Sequence, residues 1–387
     1  MTIKYIDLFC GIGGFHQAMK RIGGECVMAC DIDESCRKIY KQNYNIDPLS
    51  DIKDVDPNEL PDFDIILGGF PCQSFSNSGK KKGLDDERGQ LFNYIINIAN
   101  IKRPKFMFLE NVKHIRKIDN GKVFEYLLQQ IDSIGYSCNV IEISPHELGV
   151  PQQRERVIFI CIRNDIYDKD KKIDYTPSNK QIILENFLEK NPDKKYNVSN
   201  EIKSVLEAWD EMIHHVETNE KLSPTILCKE FNSNYSIEEF NSLANWKQDY
   251  ITKNKPLYDK YSNKWDEWFQ KYNSLLTKRE VYCKLEWQVG LKKENDSIFN
   301  HFIQVRQSGI RVKKAKYFPT LVAIVQTPIY GKEKRYITPR ECARLQSFPD
   351  DFIMHTSDNI AYKQFGNAVN VDVVHHAISL TLSQYPC

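Results

Sequence analysis

One feature limits the fold of this chain more than any other: over its first 165 residues, short apolar runs alternate with stretches of helical periodicity. The runs Tyr5–Phe9, Cys26–Asp31, Asp64–Leu67, Lys105–Leu109 and Val157–Ile162 read as strands, with helices expected over Gly14–Arg21, Glu34–Asn43, Gly89–Ala99 and Val123–Ser133. That rhythm predicts an α/β fold, a parallel sheet with crossover helices. Each strand candidate ends in Gly, Asp, Pro or Glu and then a loop, and in open sheets of this kind ligands gather at the carboxyl ends of strands.

After about Asn164 the sequence turns rich in Lys, Asn, Asp, Tyr and Trp, and all five tryptophans fall there. This middle segment is expected to hold its own core, as an insertion into the α/β domain or a lobe on it. Tyr258, Tyr261, Trp265, Trp268 and Tyr272 recur at helical spacing and read as the buried face of a helix rather than a base-stacking platform. From Tyr336 motifs return, and a last helix is expected over Asp372–Ser383.

With 53 basic and 52 acidic residues, bulk charge points to no nucleic-acid partner. Local charge says more: Arg306 to Lys316 holds five basic residues and no acidic one, and Lys80, Lys81 and Lys82 form a second cluster. Either run also fits a solvated loop. Eleven cysteines without a CxxC pair suggest reduced thiols and no metal site. No apolar stretch is long enough to span a membrane, and the start, MTIKYIDLF, leads directly into a strand, so a cytoplasmic protein is expected.

Tyr5-Ile-Asp-Leu-Phe9 followed by Cys10-Gly-Ile-Gly-Gly14 is a strand entering a glycine-rich turn that opens a helix, where backbone N–H groups can meet a ligand. Asp31 ends the next strand, placed to accept hydrogen bonds from ribose hydroxyls, and Asp51 in Ser50-Asp-Ile52 can accept from an adenine amino group. The turn is not GxGxxG and no phosphate-loop lysine follows, so a nucleoside cofactor without a pyrophosphate fits. A tight turn with no ligand is the alternative.

Gly68-Gly-Phe-Pro-Cys-Gln-Ser-Phe-Ser76 holds Cys72 just past a strand, where a thiol can meet substrate. Here the chain resembles the cytosine-C5 DNA methyltransferases of bacterial restriction-modification systems. Asp7 to Phe15, Gly68 to Ser76, Glu110-Asn-Val112, Gln152-Gln-Arg-Glu-Arg156, Arg340 to Pro349 and Gln364-Phe-Gly-Asn-Ala-Val369 follow the family's order and spacing. The resemblance implies a Rossmann-like sheet that binds S-adenosylmethionine, built from 1–165 and 357–387, and a smaller, irregular target-recognition domain with a hinge over 166–356.

It also implies roles. Cys72 adds to carbon 6 of a cytosine, which makes carbon 5 nucleophilic toward the sulfonium methyl group. Glu110 acts at N3 and the exocyclic amino group, Arg156 at O2, and Arg154 supports them. Arg154 and Arg156 alternate with Glu155, so both are expected on one face of a strand; an edge salt bridge is the alternative. Phe9, Gly11, Gly13, Gly14, Asp31, Ile32, Asp51, Ile52, Pro71, Leu91, Asn367 and Ala368 match the cofactor positions. Ile32 stands where the family often has an aromatic residue against adenine, so stacking is lost while dispersion contact survives.

Carbons 5 and 6 are closed to attack inside a duplex, so the target nucleotide must rotate into a pocket. Gln73 to Gln90, with Gly79, Gly83, Gly89 and three lysines, is expected to close over the DNA. Ser76, Ser78 and Arg88 match backbone-contacting positions of the family. In the middle lobe, Arg306, Gln307 and Arg311 have the chemistry for base edges, and Thr320-Leu321 matches the pair that ends recognition regions. Double-stranded DNA is the expected partner of a monomer, with a cognate endonuclease on the same site. Two rivals are a transfer-RNA cytosine methyltransferase, whose Cys-Phe-Thr signature is absent, and a silent DNA-binding homologue, against which Cys72, Glu110 and Arg156 argue.

Overall fold

The computed structural model describes residues 2–71, 91–171, 173–177, 180–222, 225–231, 233–322 and 326–386. In chain order the first segment contains β1 (Lys4–Leu8), α1 (Gly14–Ile22), β2 (Glu25–Cys30), α2 (Glu34–Tyr44), β3 (Ile65–Gly68), α3 (Leu91–Lys102), β4 (Phe106–Val112), α4 (Lys122–Ser133), β5 (Tyr136–Ile143) and β6 (Arg156–Arg163). The middle contributes α5 (Asn200–His214), β7 (Thr225–Leu227), α6 (Ile237–Ser242), α7 (Asn245–Leu276), β8 (Lys284–Gln288), β9 (Phe302–Arg306), β10 (Gly309–Lys313), β11 (Ile329–Tyr330) and β12 (Arg335–Tyr336). Three helices follow: α8 (Pro339–Leu345), α9 (Asp358–Asn367) and α10 (Val371–Gln384).

These elements form two compact units, Met1–Phe187 with Thr320–Ile324 and Pro339–Cys387, and Leu188–Pro319 with Val325–Thr338. The division departs from the expected one, because 166–187, 320–324 and 339–356 belong to the first unit. The reason lies in packing: Cys342, Ala343 and Leu345 of α8 are buried there. Gln152 Nε2 donates to the Leu345 carbonyl at 2.9 Å, and Gln346 Nε2 to that of Phe365 at 2.7 Å.

The first unit's sheet has the order β2-β1-β3-β4-β6-β5. The four strands β2, β1, β3 and β4 run parallel, and β4 is buried from Phe106 to Asn111, as expected of a strand covered on both faces. The sheet is not wholly parallel: β6 lies antiparallel to both β4 and β5. The link 144–155 carries a single short turn, Pro145–Leu148, and no helix for a crossover, so the chain folds back beside its neighbour. β5 escaped the sequence reading because it is an edge strand whose central residues are only half-buried.

Local chemistry sets the helix ends that matter for the site. Asp33 caps α2, its Oδ1 accepting from the Ser35 N–H at 2.9 Å. Asn370 caps α10 through Val373 N at 3.1 Å.

The second unit is built on the sheet β12-β11-β9-β10-β8-β7. The aromatic row expected at helical spacing lies on α7: Tyr261, Trp265 and Trp268 are buried and Tyr258 and Tyr272 partly so, within a core shared with Trp209 of α5. The Trp209 and Trp268 rings lie 5.1 Å apart, and their indole N–H groups donate to the carbonyls of Tyr282 (2.9 Å) and Ala208 (2.6 Å). Asn254 serves the sheet edge, accepting from Leu227 N and donating to the Thr225 carbonyl, both at 2.8 Å.

Truncating Trp268, which is 1% exposed, is expected to remove about 3–5 kcal/mol of stability. Urea denaturation tests this against Ile237→Ala at an 81% exposed position, expected within about 0.5 kcal/mol of the parent. A Trp268→Ala loss below about 1 kcal/mol would contradict this packing.

Candidate active site

The glycine turn after β1 is held from below by a buried polar network. Asp7 is fully buried, and burial pushes its carboxyl well above the usual range while the Tyr40 hydroxyl donates to it at 3.2 Å. His16 Nδ1 faces the hydroxyls of Tyr5 (3.0 Å) and Tyr40 (2.9 Å), and its ring stacks on Tyr44 at 3.8 Å. The Tyr44 hydroxyl in turn lies 3.2 Å from the carbonyls of both Ile12 and Gly13. Gly13 is required here: its φ is 90°, and a Cβ would lie 2.3 Å from the Tyr44 ring. Phe9 and Gly11 also take left-handed conformations, with φ near 55° and 53°.

Among the described residues, chain neighbours aside, no atom lies within 4 Å of where a Gly11 Cβ would stand. The Gly11 N–H donates to Asp31 Oδ2 at 2.7 Å, and Asp33 N donates to Oδ1 at 2.8 Å. Burial raises the Asp31 carboxyl, against the pull of those two donors. The strand-end acid, the turn and an apolar flank are thus side by side, since Ile32 is 77% exposed directly after Asp31. Asp51 caps a short turn through Lys53 N at 3.0 Å, with Ile52 buried behind it. Such a set, an open glycine backbone, a half-buried acceptor and an exposed apolar side chain, suits a nucleoside-containing ligand.

At the end of β4, Glu110 and Arg156 form a close ion pair, Nε to Oε1 at 2.6 Å, with side chains 12% and 13% exposed. The Glu110 Oε2 atom lies 3.7 Å from where a Gly69 Cβ would stand. Next to it Asn111 Nδ2 donates to the Phe70 carbonyl at 3.1 Å. Gly69 and Phe70 are therefore fastened beside the Glu110 carboxyl.

Arg154 does something different from its neighbour. Residues 153–155 are not in a strand, so the expected alternation does not put both guanidinium groups on one face. The buried Arg154 reaches the carbonyls of Leu321 (2.6 Å), Gly366 (2.8 Å) and Ala368 (3.3 Å), while its own N–H donates to Ser144 Oγ. Burial lowers its pKa, with the Arg156 charge adding to the effect. It ties the C-terminal segment to the site, with Asn367 exposed at the end of α9 and Ala368 buried. Val369 then abuts Gly14, whose Cβ would stand 2.5 Å from Val369 Cγ2.

Pro71 and Leu91 are half-buried at the margins of the described chain, whereas Cys72, Ser76, Ser78, Arg88 and the segment Gln73 to Gln90 lie outside the described residues. Thr320 donates its hydroxyl to the Gln153 carbonyl at 2.6 Å. In the second unit, Gln307 is exposed in the turn between β9 and β10, and Arg306 and Arg311 flank Glu286. Sequence reasoning did not single out Asn111, Tyr44 or Ser144. The first and last stand inside or beside quoted motifs, but Tyr44 carries no local signal. Among the described residues there is no cluster able to hold a metal ion, and no helix is long and apolar enough to cross a membrane.

Comparison with known proteins gives a consistent result. The profile of the family described as C-5 cytosine-specific DNA methylase matches residues 3–381. The chain is similar to the Type II methyltransferase M.HhaI of Haemophilus parahaemolyticus, 29% identical over 97% of this chain and 92% of that one. Type II methyltransferase M1.ScrFI of Lactococcus lactis subsp. cremoris is 32% identical over 97% and 77%. Among solved structures, the Entamoeba histolytica methyltransferase EhMeth superposes with a TM-score of 0.58 at 17% identity, covering all of both chains, which speaks for the fold alone.

Two expectations follow from the geometry. Burial, then the Lys20 charge, lowers the His16 pKa from 6.5 to about 4. As pH falls, the unfolded chain takes up this proton first, so the contribution is whole above about pH 6.5 and is lost between there and about pH 4. At most about 3 kcal/mol is at stake; a His16→Gln variant should show a shallower fall in melting temperature over that range, and an unchanged slope would contradict the assignment. Arg154→Met, which takes a donor from the Leu321 and Gly366 carbonyls and leaves that of Ala368 to Gln346 Nε2 alone, is expected to cost roughly 2–4 kcal/mol by calorimetry. A cost under 1 kcal/mol would show that the strap is dispensable.

Proposed function

Since the chain belongs to the family of C-5 cytosine-specific DNA methylases, we propose that Cys72, Glu110 and Arg156 carry out the methylation and that the turn at Gly11 with Asp31 holds the methyl donor. The family's reaction depends in general on S-adenosylmethionine. When bound, that cofactor supplies a methyl group on a sulfonium, an electrophile for carbon 5. Asp31 would accept from its ribose hydroxyls, Ile32 and Ile52 would flank the adenine, Asp51 would accept from the adenine amino group, and Phe9, Gly13, Gly14, Pro71, Leu91, Asn367 and Ala368 would complete the surround. The observation that Gly11 borders open space among the described residues, beside a half-buried acceptor, supports this fit.

The Cys72 thiolate adds to carbon 6, and the electron pair of the 5,6 double bond becomes available at carbon 5 for methyl transfer. Negative charge that develops toward N3 meets a proton from Glu110, held in orientation by Arg156, which also donates to O2. Loss of the carbon 5 proton to a solvent base then restores the 5,6 double bond and expels the Cys72 thiolate, and the N3 proton returns to Glu110. Arg154 serves as a positioning residue. The second unit reads the DNA sequence, with Arg306, Gln307, Arg311 and Thr320 as contacts, and Ser76, Ser78 and Arg88 grip the backbone near an extruded cytosine. The protein acts as a cytoplasmic monomer whose partners are duplex DNA and an endonuclease of the same specificity, in keeping with its similarity to Type II methyltransferases.

The single observation on which the catalytic assignment rests is the fastening of Gly69 and Phe70 beside Glu110. Labelled methyl transfer from S-adenosylmethionine to duplex DNA, followed by bisulfite sequencing, is expected to show one methylated sequence, with the wild type trapped covalently on 5-fluorocytosine DNA. Cys72→Ser is expected to keep cofactor and DNA binding and to lose turnover by several orders of magnitude, because a hydroxyl is a far weaker nucleophile. Near-normal turnover in that variant, or transfer to transfer RNA alone, would refute the proposal.

A further inference from the structure

Strands β9, β10 and β8 lie side by side in the second unit, and their register sets Gln304, Arg311 and Glu286 in one row. Side chains alternate between the two faces of a strand. Leu285, Trp287, Ile303, Ile310 and Val312 thus enter the core with α5 and α7, and Glu286, Arg306 and Arg311 share the opposite face. Glu286 grips Arg311 with both oxygens, Oε2 accepting from Nε and Oε1 from Nη2, each at 2.8 Å. Arg306 approaches the same carboxylate, Nη1 to Oε2 at 3.6 Å, and its Nε donates to Gln326 Oε1 at 3.3 Å. One carboxylate therefore serves two guanidinium groups, and the trio keeps a net positive charge.

The geometry of Arg311 is specific. The carboxylate occupies the Nε–Nη2 edge of the fork, while the Nη1–Nη2 edge meets no acceptor among the described residues. The side chain is 27% exposed and that of Glu286 19%, so the pair is anchored at the sheet yet reachable. A long side chain held this way loses little rotamer freedom on binding. Two parallel N–H donors match guanine, which presents O6 and N7 as acceptors in the major groove; adenine presents an amino group at the same place and is rejected.

Resting on the DNA-methylating reading above, we propose that Glu286 is a positioning residue that sets Arg311 to read one guanine of the recognition sequence, with Arg306 braced on the same carboxylate. The reading assigns a base to Arg311 and a task to Glu286, which carries no DNA contact itself.

The test uses the full-length protein and duplexes bearing the sequence identified by bisulfite sequencing, each guanine replaced singly by 7-deazaguanine, which lacks the N7 acceptor. In the wild type, one position is expected to lose roughly tenfold or more in kcat/KM on replacement. In Glu286→Gln that loss is expected to shrink severalfold at that position alone, the ratios at other guanines keeping their wild-type values. Arg311→Lys keeps the charge but not the fork and is expected to abolish the discrimination at the same guanine, which serves as the test if Glu286→Gln does not fold. A merely structural ion pair would alter melting temperature and leave every ratio unchanged. Unchanged ratios in either folded variant overturn the role of Glu286 and Arg311 while methylation itself stands. A wild-type protein that methylates no DNA overturns the functional reading, and this one with it.

Discussion

A buried guanidinium ties separated stretches of the first unit together. Arg154 satisfies carbonyls of 321, 366 and 368, which lie in two places far from it in sequence, and charge can be taken from water here only because those oxygens converge on it. Through it the C-terminal segment reaches the glycine turn, where Val369 presses on Gly14. Arg156, two residues on, instead pairs with the Glu110 carboxylate. Two arginines of one short motif thus have different partners, backbone carbonyls for one and a carboxylate for the other.

Much of this frame could be read before the structure. Asp31 and Gly11 were legible because a strand, a turn and a strand-end acid follow each other within about twenty residues, a span over which backbone geometry dictates neighbours. Glu110 was read from the resemblance of Glu110-Asn-Val112 to the family's motif, and its partner Arg156 stands on a strand far along the chain. What was not legible depends on distant partners. The alternation of Arg154 and Arg156 suggests one shared face, yet irregular backbone at 153–155 breaks the period and the far carbonyls decide. The network beneath the turn joins Tyr5, Asp7, His16, Tyr40 and Tyr44, and nothing local announces that these side chains meet. The antiparallel β6 and the edge strand β5 were missed because periodicity carries no direction and half-buried strands blur it.

The second unit repeats the lesson with opposite polarity. The aromatic row of α7 was visible as spacing, since a helix brings residues three and four apart to one face. The basic run 306–316 was visible only as charge. Its division into a core-facing and a polar side required knowledge of strands β9 and β10, and the acid that organises it, Glu286, sits on a neighbouring strand outside the run.

The division of the first unit among three separated stretches has a consequence for how the protein is made. The second unit is complete once residue 338 has been made, but the first unit's sheet lacks the partners of Arg154 and Gly14 until residues 366–369 emerge. The half made earliest is thus the one whose contacts are supplied last.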